Sequence, residues 1–147
     1  MDMRAIHHRI AAGLAARYPH RIVTRSLVPV EDRDDDELAQ GVITVITDRA
    51  TNLGLDAGID IDAGRAEFFI TAQVWAGREA MDQPPDMRGE VVADHEAALF
   101  GEIAAFARAP GTGLCPLELT EAEFSGQVMA AGGYGWVVCR AGYQELD

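Results

Sequence analysis

The stretch that decides the fold is residues 65–76, RAEFFITAQVWA. Every second residue from Ala66 onward is apolar, which is the period of a β-strand with one buried face. The alternate positions are mostly polar, but they include Phe69 and Trp75. Rings of this size must meet a helix, another subunit or solvent. We therefore predict a central strand, and we take Phe69 and Trp75 as candidate partner-binding residues.

The natural neighbour of this strand is residues 42–47, VITVIT, which are β-branched almost throughout. Such a run is typical of a strand that is buried on much of both faces. Residues 48–64, between the two strands, are too many for a tight turn. Their second half alternates apolar residues with Asp56, Asp60 and Asp62. We predict that this hairpin extends beyond the sheet as a long arm.

Two segments have the periodicity of amphipathic helices. In residues 4–17 apolar side chains recur every fourth position, and Pro19 lies just beyond the segment. Residues 90–108 carry a similar stripe, which also takes in His95 or Glu96. The apolar positions of the two stripes are Ile6, Ile10, Leu14, Val92, Leu99, Ile103 and Phe106.

Three further segments predict strands. Residues 21–30 are rich in Ile, Val, Thr and Leu, and Pro29 indicates a sheet edge or a break in pairing at their end. Residues 114–124 predict a strand or a turn-like piece. Residues 134–143 predict a last strand, with one aromatic face and one face of small residues.

Two segments predict loops. Residues 77–89 contain Pro84–Pro85, which disfavours regular structure. Residues 31–37 hold six carboxylates in seven positions, so they must be solvated or face cations. We take six acidic residues of this loop and of the hairpin arm as candidate partner-binding residues: Asp34, Asp35, Asp36, Asp56, Asp60 and Asp62.

The order of these elements predicts the fold class. It leaves too few crossovers for a doubly wound sheet. We predict a single α+β domain over residues 1–147, with a mostly antiparallel sheet flanked by two main helices. A chain of this length with 48% hydrophobic residues has enough apolar side chains for one core.

Composition limits the classes of function. The formal charge is −12, with no basic footprint for phosphate contacts, so we expect no nucleic-acid binding. The first residues lack an apolar signal region and no run is long enough to span a membrane, so we expect a soluble, unexported protein. Cys115 and Cys139 are expected to be reduced thiols.

The candidate chemical motifs are incomplete. Residues 56–67 resemble a calcium loop through Asp56, Asp60, Asp62 and Glu67, but the sixth position, where the loop needs glycine, is Ile61. Asp94-His95-Glu96 lacks the second histidine of a zinc helix. The serines, cysteines and glycine pairs lack the contexts of a nucleophile or a phosphate loop. We expect no enzyme activity, cofactor or metal.

The order of elements resembles the tail terminator, or tail completion, proteins of long-tailed bacteriophages. The likeness covers an N-terminal helix, a strand, an acidic loop, the strand at 42–47, a polar excursion, the strand at 66–76, the helix at 90–108 and a closing strand pair. It implies an α+β subunit that forms a ring, usually a hexamer. The ring would cap the tail tube, stop its polymerisation and present the surface that joins the head.

The resemblance also implies partners and a location. The partners would be further copies of the chain, the tail tube protein and the head connector or neck protein, with no membrane. DNA would pass through the channel without specific binding, past acidic walls. The protein would be assembled in the host cytoplasm and reside in the virion tail or neck. Another neck or head-completion protein, or a small-ligand-binding α+β domain, remains an alternative.

Overall fold

The structure is a computed structural model that describes residues 2–51, 64–111, 113–126 and 132–145. In chain order its elements are α1 (Met3–Arg17), β1 (Ile22–Thr24), a 3₁₀ turn (Val30–Asp32), α2 (Asp35–Gln40), β2 (Val42–Thr51), β3 (Arg65–Trp75), α3 (Arg78–Met81), α4 (Pro85–Arg108), β4 (Glu118–Phe124) and β5 (Tyr134–Tyr143).

The strands of the described ranges form one five-stranded sheet in the order β1-β2-β3-β5-β4. The strand predicted from residues 65–76 is its centre, because β3 pairs antiparallel with both β2 and β5. β4 also pairs antiparallel with β5, whereas β1 runs parallel to its neighbour β2. The predicted fold class, α+β with a mostly antiparallel sheet, is confirmed.

One face of the sheet, which we call the helical face, holds the main core. The alternate β3 residues Ala66, Phe68, Ile70 and Ala72 are all fully buried there. Both predicted apolar stripes, from α1 and α4, pack into the same cluster. Burial of each large aliphatic or aromatic side chain contributes about 1.5–3 kcal/mol. The two predicted main helices therefore both lie on one side of the sheet.

The opposite face, which we call the second face, is covered at one end by short helices. Trp75 is only 8% exposed and packs with Leu38 of α2 and Val42 of β2. Met81 of α3 and Tyr134 pack against the same cluster. The prediction that Trp75 contacts a partner is therefore wrong, because elements of its own chain cover the ring.

The acidic segment 31–37 was predicted as a loop, and this is wrong in part. Its end forms the first turn of α2, with Asp35, Asp36 and Glu37 in that turn. Carboxylates are stabilised at a helix N-terminus by the helix dipole and the free N–H groups, which offsets their repulsion. The apolar anchor Leu38 then holds the helix on the sheet.

Two other boundaries differ from the predictions. The loop predicted at 77–89 contains α3 and the start of α4, because Pro85 occupies the first turn of a helix, where the missing N–H costs no hydrogen bond. The strand predicted at 21–30 is limited to Ile22–Thr24. Beyond it the chain crosses the second face, where Gln73 Nε2 donates to the Val28 carbonyl at 2.8 Å.

The predicted hairpin arm lies mostly outside the described residues, and so do Asp56, Asp60 and Asp62. The strands on either side of it, β2 and β3, are paired as predicted, from Val42 with Gln73 to Thr51 with Arg65. The last strand is confirmed at Tyr134–Tyr143, and residues 114–124 contain strand β4.

Candidate interaction surface

Part of the second face is not covered by the short helices. We call this part the open patch and define it by five half-buried residues: Ile46, Phe69, Trp136, Val138 and Arg140. Ile46, Phe69 and Arg140 lie in one row across β2, β3 and β5. Phe69 therefore stays a candidate contact residue, whereas Trp75, six residues further along β3, does not.

Phe69 is held in place by a cation. The Arg140 guanidinium carbon lies 4.8 Å from the centre of the Phe69 ring. A guanidinium over an aromatic face is attracted by the ring quadrupole and also covers part of its apolar surface. The open patch thus combines apolar side chains with an arginine whose charge is paired with carboxylates.

Arg140 belongs to a network of charges centred on Glu67. Glu67 Oε2 accepts hydrogen bonds from Arg49 Nε at 3.0 Å and from Arg140 Nη1 at 3.3 Å. Arg140 also donates to Asp48 Oδ2 at 2.9 Å. The Arg49 hydrogen bond is the main reason that the pKa of Glu67 lies below its ordinary value. Glu67, the last position of the calcium-loop frame, is therefore engaged by arginines.

The acidic candidates of the first loop lie on the same side of the sheet. Asp34, Asp35 and Asp36 are exposed around the start of α2. Asp35 Oδ1 accepts a hydrogen bond of 2.7 Å from the Tyr134 hydroxyl, and this bond is the main reason that the pKa of Tyr134 is raised. The bond ties α2 to the start of β5.

α2 packs over the Trp75 end of β3, and Phe69 lies six residues from Trp75 along the strand, which is about 20 Å at the rise of a β-strand. The structure thus does not bring the acidic candidates and Phe69 into one compact site. They lie at separate positions of one surface.

Sequence reasoning missed the role of Glu96. Its side chain faces the sheet from α4 and is 4% exposed. Glu96 Oε2 accepts hydrogen bonds from Ser125 Oγ at 2.6 Å and from the Trp136 N–H at 3.0 Å. These bonds hold the end of β4 and the start of β5 against α4. Ser125 is buried as well, so the pair is inaccessible to a substrate.

The described residues offer no metal centre. Within them, no group of three or more His, Cys, Asp and Glu side chains is arranged to hold an ion. Cys115 and Cys139 are free thiols, and burial raises the pKa of Cys139 to about 11. None of the helices in the described ranges is long and apolar enough to cross a membrane.

No family model matches the chain, and no curated protein matches it significantly.

Proposed function

We propose that this chain is a structural subunit that assembles into a ring with copies of itself, and that the ring is a tail terminator of a long-tailed bacteriophage. The observation that carries the structural role is the open patch. It leaves apolar side chains half-buried on the face of the sheet opposite the main core. A surface of this kind is typical of a protein contact.

The finer assignment to a phage tail rests on the resemblance in element order. The charge of the chain is compatible with it, because a ring of subunits with a formal charge of −12 would repel the phosphates of DNA in its channel. The exposed carboxylates of Asp34 and Asp36 contribute to this field. The partners of the ring would be the tail tube protein on one side and the head connector or neck protein on the other.

The experiment that tests the proposal is native mass spectrometry of the purified protein, alone and mixed with tail tubes from the same source. We expect a closed ring, either free in solution or formed on the tube end, and negative-stain images with one cap at one end of each tube. A protein that stays monomeric under both conditions would overturn the proposal.

A second outcome separates the terminator from the alternative within the same class. A ring that binds purified head connectors but leaves tail tubes uncapped and free to elongate would identify a neck or head-completion protein instead. Tube length, measured by electron microscopy with and without the protein, decides between them.

A further inference from the structure

The two outer strands of the described sheet differ in chemistry. β1, at one edge, has three residues and borders a groove of about 320 Å³ between itself and α1. The groove is lined by apolar side chains and by three polar ones, among which Arg25 contacts His8. The lining residues are His8, Ala11, Ala12, Ala15, Val23, Thr24 and Arg25. β4, at the other edge, is exposed at all but one of its positions, and its charged residues are Glu118, Glu121 and Glu123.

One row of paired residues crosses the whole sheet and connects these edges. The side chains of this row lie on the helical face. In order across the sheet, its residues are Val23, Ile43, Ala72, Val137 and Phe124. The three middle residues are fully buried. The ends differ, because Val23 lies half-buried in the groove whereas Phe124 is 44% exposed.

We propose that the β4 edge of one copy pairs with the β1 edge of the next copy, and that Phe124 of the first copy fills the groove beside Val23 of the second. The proposal rests on the proposed ring assembly and names its subunit contact. β1 and β4 run in opposite directions within a subunit, since β1 is parallel to β2 and three antiparallel pairings lead from β2 to β4. If one copy is related to the next by rotation about an axis parallel to the strands, each strand keeps its direction. β4 of the first copy then pairs antiparallel with β1 of the second.

The backbone of β1 is suited to this pairing. The Ile22 N–H donates to the Gly41 carbonyl at 3.0 Å, toward β2. Backbone groups of successive residues in a strand point to opposite sides, so Val23 presents its N–H and C=O to the outer edge. The backbone of an added strand would accept a hydrogen bond from the Val23 N–H and donate one to the Val23 C=O, as in other cases of strand addition to a sheet edge.

The charges of the two edges favour a contact between β4 and β1 over a contact between two β4 strands. Two β4 strands side by side would set glutamates against glutamates, which is destabilising for cross-strand pairs. The β1 edge instead offers Arg25, which is exposed beside the groove. A contact between unlike edges is heterologous, and it generates a ring when the rotation between copies closes.

A disulfide cross-link tests the register. Thr24 and Glu123 end the next row of the sheet, so Thr24 of one copy would lie opposite Glu123 of its neighbour. A pair that makes no hydrogen bonds between its strands has Cα atoms about 4.5 Å apart, which suits a disulfide. The double variant Thr24→Cys/Glu123→Cys is expected to give a ladder of covalent multimers after mild oxidation.

Two controls show whether the covalent multimers arise from the pair of introduced cysteines. A mixture of the two single variants should stop at covalent dimers, and the unsubstituted protein, which retains Cys115 and Cys139, should give none. Rings that form in native mass spectrometry but stay uncross-linked in the double variant would overturn this contact while leaving the proposed function standing. A ladder in a protein that never caps a tail tube would support the contact and overturn the terminator function.

A second variant tests whether Phe124 fills the groove of the neighbouring copy. Phe124→Glu is expected to weaken self-association by at least about tenfold, because an aromatic ring loses its burial. Met87→Glu is the matched control, since Met87 is 49% exposed on α4 and belongs to neither edge strand. Sedimentation velocity measures both, and circular dichroism checks that each variant folds. Equal effects of the two substitutions would contradict the proposal.

Discussion

Glu96 illustrates how one buried carboxylate organises an end of the sheet. Three neutral donors satisfy it: the Ser125 hydroxyl, the Ser125 N–H and the Trp136 N–H. We expect Glu96→Ala to lower the free energy of unfolding by about 1–3 kcal/mol, because all three donors bond to Oε2 and are left buried without an acceptor when it is removed. Asp94→Ala, exposed on the same helix, is the control. A loss below about 0.5 kcal/mol in urea unfolding would contradict this role.

Glu67 gives the protein a pH dependence at the base of the β2–β3 hairpin. Its folded-state pKa lies below the ordinary value of 4.5, mainly because of the hydrogen bond from Arg49. Its contribution to stability is therefore complete above pH 4.5 and is lost as the pH falls through the folded-state pKa.

We expect Glu67→Gln to be less stable than the unsubstituted protein at pH 7, and the difference to narrow as the pH falls below 4.5. Urea unfolding at a series of pH values measures it. Glu90→Gln, exposed on α4, controls for the loss of one negative charge. A difference that stays constant down to pH 3 would show that the arginine pairing does not stabilise the fold.

At the scale of elements, the contact of α4 with β5 depends on a glycine. A Cβ added at Gly135 would lie 2.5 Å from Val92 Cγ1 and 2.9 Å from Glu96 Oε2. We expect Gly135→Ala to cost about 1–3 kcal/mol by overpacking. Gly101→Ala is the matched control, because a Cβ there meets nothing within 4 Å, and it should raise stability by about 0.5–1 kcal/mol. Thermal unfolding of both variants checks the pair, and similar melting temperatures would contradict the close approach.

The elements also show what a sequence can and cannot predict. β3, β5 and the two main helices follow from periodicity, because one buried face imposes its repeat on the residues. Periodicity identifies an apolar position such as Trp75 but not the element that covers it. α2 escaped prediction because counting like charges ignores the helix dipole, and the donors of Glu96 come from residues far away along the chain.

In the molecule as a whole, one candidate surface was predictable from the sequence and the other was not. Phe69 was predicted from its parity alone, and it lies in the open patch. The edge row from Val23 to Phe124 was not predicted, since it needs the strand order and the register of four pairings. Strand order is set by contacts distant in sequence, which local patterns do not encode.

The order β1-β2-β3-β5-β4 also determines when the protein can fold as it is synthesised. β3 leaves the ribosome early, but its second neighbour, β5, follows only after α4 and β4. Until then one edge of β3 is unpaired and its apolar face is only partly covered, which is a state prone to aggregation. Because β5 fits between β3 and β4, its arrival completes the sheet and the core together. Folding of the sheet during synthesis therefore cannot be completed until β5 has left the ribosome.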